Sequence, residues 1–343
     1  MSDHSPGRRT GDVATVRGLS SRLPEGVTRT VRGLAIASLV SQILIVVTGG
    51  AVRLTASGLG CPTWPRCTAE SLVNTPEMGI HGIIEFGNRT LTFVLTAIAI
   101  AMLVSVWRFR RQRRDLFFLS IALLAGIPAQ ALIGGITVLT QLNPWVVGCH
   151  FIVSMTLISL ATLLVNRARP MPAGSRQDHG PVPASKTVRQ LLAAIGVLTA
   201  AAVALGVIVT GSGPHAGDAD APRNGLNSDL MTRIHVAPVY LLVIATVAAL
   251  ILVYLRHHDR QLQRAMVMLA VIVLFQGTVG YIQHFTGLPV VLVALHMLGA
   301  SLLVAAATNA IDRGFARGLP QRDQQQPPGA ARLGAADPVA KRD

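Results

Sequence analysis

Four histidines, His81, His150, His235 and His296, each stand within the first turns of a long apolar run. An ionisable side chain is costly in hydrocarbon, and inside a membrane span it marks a functional site by default. A single such histidine commonly makes a helix–helix hydrogen bond. Four at matching positions point to another chemistry, because two imidazoles from facing helices can hold a six-coordinate porphyrin iron. A bare zinc ion would ask for further ligands or an acid in place. In IHGIIEFGNRT, His81, Glu85 and Asn88 stand at i, i+4 and i+7, within about 60° of one helical face. Arg89 lies next to that face. The stretch TRIHVAPVYLL around His235 has no acid after its histidine. A carboxylate beside one porphyrin site only suggests that one site reacts and the other passes electrons. The plainer reading of Glu85 is a buried pair with Arg89 or a histidine that fixes helix packing.

The elements that position these residues are membrane helices. The 343 residues are 51% hydrophobic and 13% charged, with mean hydropathy +0.51, whereas a soluble domain carries about 25% charge. Eight apolar runs, roughly 33–52, 79–107, 116–139, 145–166, 188–209, 231–255, 264–285 and 289–311, are each long enough to cross ~30 Å of hydrocarbon. The net charge of +14 does not indicate nucleic acid. Of 30 Lys and Arg, 25 fall before the first span, in RFRRQRR, at 167–189, at 256–264 and after 312, all on alternate sides of the spans. The positive-inside rule then puts both termini in the cytoplasm, where these clusters also meet anionic lipid. All four histidines therefore enter from the outer side. His4, His179, His257 and His258 fall in cytoplasmic segments, and His215 and His284 at the outer face.

Helix starts are marked by Thr75-Pro76-Glu77, by Asn143-Pro144 and by Pro289. Cys61 and Cys67, in the outer segment CPTWPRC, lie in an oxidising compartment and read as a disulfide; zinc is the weaker alternative. Cys149 reads as a small buried residue.

The chain repeats itself. VRLTASGLG after span one matches VIVTGSGPH after span five, and QALIGGITVLTQLNP before His150 matches QGTVGYIQHFTGLP before His296. Gln130, Gly134 and Leu142 align with Gln276, Gly280 and Leu288. Four spans per half make a parallel duplication rather than an inverted one. The expected organisation is a cytoplasmic tail (1–32), an N-terminal half with the site that reacts (33–169), a linker (170–187), a C-terminal half with the site that passes electrons (188–312) and a disordered tail (313–343). The fold class is an all-α polytopic membrane protein, its eight transmembrane helices forming two pseudo-symmetric four-helix bundles.

GLGCPTWPRC, EFGNR, GCHF, TGSGPHAGD, RIH and TGLPVVLVALHMLGA together resemble the heme A synthase family over about residues 33–312. The resemblance implies haem b held by His235 and His296 in the C-terminal half. It implies haem O in the N-terminal half, its C8 methyl oxidised to a formyl by successive hydroxylation with water-derived oxygen. Glu85 would stabilise a cationic intermediate or position water, and Cys61 and Cys67 match the family's disulfide. The implied partners are a haem O synthase (a protohaem farnesyltransferase), a haem-A-containing cytochrome oxidase and membrane lipid of the cell membrane; a homo-oligomer is compatible. The family places histidine where this chain has Asn88. Asn88 to His150 is 62 residues and His235 to His296 is 61, which equates Asn88 with His235. Gly58 to His81 is 23 and Gly213 to His235 is 22, which equates His81 with His235. The expectation is that His81 partners His150 on the substrate iron and Asn88 hydrogen-bonds substrate or Glu85. A bis-histidine dihaem cytochrome also explains the four histidines, though not Glu85 in one half. A transporter predicts broken helices at mid-bilayer.

Overall fold

A computed structural model describes residues 24–169, 183–257 and 259–315. Among these, all regular structure is helical, and eight helices are long and apolar enough to cross a membrane. They are α1 (Arg29–Leu54), α2 (Gly79–Val106), α3 (Arg114–Leu139), α4 (Pro144–Arg167), α5 (Lys186–Ser212), α6 (Ser228–Arg256), α7 (Arg260–Phe285) and α8 (Val290–Phe315). The protein is a multi-pass membrane protein. Side-chain caps set several starts: Thr28 accepts from the Val31 amide, Asn143 from Trp145, Asn227 from Leu230 and Asp259 from Gln261. Thr75 departs from expectation, for it makes no side-chain capping bond. Pro76–Met78 is a separate 3₁₀ turn, and α2 starts after it at Gly79, whose φ of 55° suits glycine.

Most of the linker (170–182) and of the two tails (1–23 and 316–343) lies outside the described residues. Of the described residues in these segments, 29–32 belong to α1, 186–187 to α5 and 313–315 to α8, while 24–28 and 183–185 are not helical.

Contacts in each half follow one order, first helix with second, second with third, third with fourth, and fourth back to first. The halves meet through α1, α4, α5 and α8. The buried apolar cores are lopsided. In the N-terminal half Val31, Met102, Val106, Phe109, Leu116 and Leu164 cluster at the end of the bundle away from Cys61 and Cys67. In the C-terminal half Val188, Leu192, Val253, Leu262 and Ala310 do the same. Packed side chains hold that end, and the other end, here called the disulfide end, carries the histidines. Outward faces are apolar, with Phe93, Leu255 and Phe285 at 74%, 74% and 78% exposure, as lipid contact requires. Cys149 is exposed on α4, not buried as expected. A small apolar side chain meets no penalty on a lipid-facing surface, so hydrophobicity alone does not put it inside.

The halves are tied at both ends. Arg167 Nη2 lies 2.5 Å from Asp312 Oδ1, and Asn166 donates to the same carboxylate. At the disulfide end Arg53 Nε donates to the His215 carbonyl at 2.5 Å and Nη2 to the Thr210 carbonyl at 3.0 Å. The Gly58 amide donates to the Gly217 carbonyl at 2.9 Å.

Candidate functional site

Three of the four histidines lie ring-first against a glycine of the preceding helix. His150 on α4 meets Gly134 on α3, His235 on α6 meets Gly206 on α5, and His296 on α8 meets Gly280 on α7. A Cβ added at Gly134, Gly206 or Gly280 would stand 3.3, 3.2 or 3.2 Å from the imidazole Cε1. Glycine thus lets each ring approach the neighbouring backbone. The Nδ1 atoms of His150, His235 and His296 are buried without a hydrogen-bond partner. His235 and His296 are close enough to interact electrostatically. Paired imidazoles over glycine clearings, away from the two main apolar cores, fit a flat iron porphyrin between helices. Among the described residues no three His, Cys, Asp or Glu side chains converge to hold a bare metal ion.

Asn88 occupies the fourth place in this pattern. It projects from α2 toward Gly49 on α1, where an added Cβ would lie 3.9 Å from its Nδ2. Its Oδ1 lies 2.8 Å from Thr48 Oγ1. His81 stands elsewhere. Seven residues separate it from Asn88, about 10 Å along the helix toward the disulfide end. It is exposed, and its Nδ1 lies 2.9 Å from Ser57 Oγ. It lines a pocket of about 500 Å³ together with Met78, Gly60, Pro62 and, from the other half, Asp218 and Ala219.

Glu85 is 5% exposed, and both its oxygens are engaged. Oε2 accepts from the Cys61 amide at 2.6 Å, and Oε1 accepts from Arg89 Nε at 3.1 Å and Nη2 at 2.5 Å. Arg89 also donates to the carbonyls of Cys61, Thr63 and Arg66. The pair therefore clamps the segment closed by the Cys61–Cys67 disulfide onto α2. Sequence spacing placed Glu85, Asn88 and Arg89 on or beside one face, but the loop that binds them is visible only in three dimensions. The same segment lays the Trp64 indole over Gly135 on α3, beside the Gly134 clearing of His150. The disulfide segment is thus a cover over the N-terminal site, held by α2 on one side and α3 on the other.

Two glutamines join the sites without having been singled out as functional. Gln130 Nε2 donates to the His150 carbonyl at 3.2 Å and to Ser154 Oγ at 2.5 Å. Gln276 packs against Gly299, three residues past His296. Each is four residues before the glycine clearing on its helix, and each leaves a buried Oε1 unpartnered. The signal in the sequence is their alignment in the repeat. The two sites also abut across the halves: Met297, next to His296, packs on Gly50, next to Gly49. His215 and His257 serve the frame, the first against the Leu288 carbonyl and the second against Ser185; His284 lies edge-on to Phe285.

Residues 32–308 match the profile of the COX15-CtaA family, described as cytochrome oxidase assembly protein. The chain is similar to a protein named heme A synthase from Lysinibacillus sphaericus, 33% identical over 140 residues, 40% of this chain and 44% of the relative. A heme A synthase of Bacillus licheniformis is 25% identical over 182 residues, 53% of this chain and 59% of the relative. Each of these two matches covers less than two thirds of the relative's length. One from Bacillus cereus is 22% identical over 286 residues, covering 81% of this chain and 91% of the relative. The profile takes in both four-helix halves and every residue of the two sites, and the chain belongs to the cytochrome oxidase assembly family COX15-CtaA.

Proposed function

We propose that the protein is a heme A synthase, an oxidoreductase that converts the C8 methyl of haem O to a formyl for assembly of a haem-A-containing terminal oxidase. The observation that carries this is the inequality of two similar sites. Both have glycine clearings, but only the N-terminal one has a buried carboxylate, a covering disulfide segment and an amide in place of one imidazole. In the C-terminal half His235 and His296 would hold a resident haem b, which would supply one-electron redox chemistry. The two halves are related as pseudo-symmetric four-helix bundles, with the disulfide end on the outer side of the cell membrane and both termini in the cytoplasm.

In the N-terminal half His150 holds the iron of the substrate haem, and Asn88 faces it across the site. Net oxidation of a methyl to a formyl takes up one water and releases four protons and four electrons. Glu85, fixed by Arg89 and the Cys61 amide, sets a negative charge beside the porphyrin edge as positive character develops there. Oε2, which accepts only from the Cys61 amide, keeps acceptor capacity for a water. For His81 the geometry favours a role different from the iron ligand that spacing suggests. Its ring is tied to Ser57 and borders the pocket shared with Asp218, so it receives protons leaving the site. The electrons pass toward the C-terminal half and on to an acceptor outside this chain.

The test is to purify the full chain from cells that also express a haem O synthase and to identify the extracted haems. Haem A or its hydroxylated precursor beside haem b supports the synthase. Haem b alone at two equivalents, with no conversion of haem O, supports the dihaem cytochrome instead.

A further inference from the structure

An apolar cleft of about 570 Å³ lies between α2 and α3 in the N-terminal half. Thr92, Phe93, Thr96 and Leu103 line it from α2, and Ile121, Leu124, Ala125, Pro128 and Ala131 from α3. No charged side chain borders it. Its two threonines present methyls, since their hydroxyls donate to the Arg89 and Thr92 carbonyls of their own helix. The cleft continues the candidate site. Thr92 and Thr96 extend the α2 face of Glu85 and Asn88 by one and two turns, and Ala131 is one turn below the Gly134 clearing on α3. From Thr92 to Leu103 the helix advances about 16 Å. Pro128, which lines the cleft, has no N–H to give the Leu124 carbonyl, which loosens α3 there.

We propose that this cleft holds the isoprenoid substituent of the porphyrin substrate. The proposal rests on the reading of the N-terminal half as the haem O site, and it names what distinguishes haem O from haem b there. A haem has charged propionates on one edge. These favour the polar disulfide end, with its exposed backbone and histidine, which sends the apolar edge toward the opposite end. A farnesyl-derived chain on that edge then enters a space of matching reach, open to lipid along one side, between helices that already hold the ring. Burial of such a chain gives the site a means to prefer the prenylated haem, since each methylene adds about 0.8 kcal/mol.

The test uses the full chain carrying its resident haem, titrated with haem O and separately with haem b, following the second equivalent optically. Wild type should bind haem O at least about tenfold more tightly than haem b. Ala125→Trp and Ala131→Phe, which fill the cleft, should bring the two affinities together with the resident haem retained. Ala129→Trp, on an exposed face of α3 that does not line the cleft, should behave as wild type. Absence of a preference in wild type, its survival in both filling variants, or its loss in the control would each overturn the proposal. A preference that follows this pattern without any oxidation of the bound haem O would leave the cleft standing and remove the synthase reading.

Discussion

At Asn88 an amide stands where three sister positions carry an imidazole, and the difference is chemical rather than spatial. Even a Cβ added at Gly49 would stand 3.9 Å from the amide, so the glycine leaves room for the small adjustments a larger ring needs. Asn88→His should therefore place a second imidazole opposite His150. The substrate haem should become low-spin and six-coordinate in optical and paramagnetic resonance spectra, with conversion of haem O retained, since the family this chain resembles carries histidine at that position. An unchanged spectrum would mean that Asn88 does not face the iron. His81 makes the complementary case. If it carries protons, His81→Ala should stop conversion of haem O while leaving the substrate-haem spectrum and the resident haem b intact. Turnover at the wild-type rate removes any role for His81, and loss of the substrate-haem spectrum restores it as a ligand.

Helices and loops meet the site through small residues. Gly135 on α3 gives room to Trp64 from the disulfide segment, while Glu85 and Arg89 on α2 hold the same segment by its backbone. A side chain at Gly135 must evict the indole, since there is no space for both. Gly135→Val should loosen residues 61–67, raising hydrogen exchange and proteolysis there, and should lower stability by about 1–3 kcal/mol. The α2 anchor is untouched, so the segment should stay attached at Cys61. Protection equal to wild type would mean that the loop does not depend on its α3 contact.

Across the whole molecule, the two main packed cores lie toward one end and the sites toward the other, and the halves are tied at both. Arg167–Asp312 secures the core end, and Arg53 with the Gly58–Gly217 bond secures the disulfide end. Asp312 is the buried partner, and Arg167 is partly exposed at 40%, so the loss on Asp312→Ala is limited by solvent screening. About 1 kcal/mol is expected, read as a lower thermal midpoint in detergent with haem content unchanged. The close pairing of Gly50 with Met297 puts the two candidate sites side by side across the same interface.

Sequence alone determined what depends on composition and period. Eight apolar runs of spanning length give eight helices, because hydrocarbon admits backbone only when its hydrogen bonds close internally. The spacing of His81, Glu85 and Asn88 gives a shared face, because the helix repeat is fixed. Cys61 and Cys67, six residues apart, form the disulfide read from the sequence. Other features depended on which helices approach one another. Counting along the repeat matched both His81 and Asn88 to His235, since the stretch from Gly58 to His150 is nine residues longer than that from Gly213 to His296 and the count depends on which end is aligned. Only the packing of α1 on α2 puts Asn88 opposite a glycine and turns His81 toward Ser57. Glu85 looked like a carboxylate within a span, and its amide partner at Cys61 comes from a loop 24 residues away. Cys149 looked buried by type and faces outward by position. Glycine clearings, cross-helix clamps and the α2–α3 cleft are contacts between segments distant in sequence, and no local pattern in one segment records what the other presents to it.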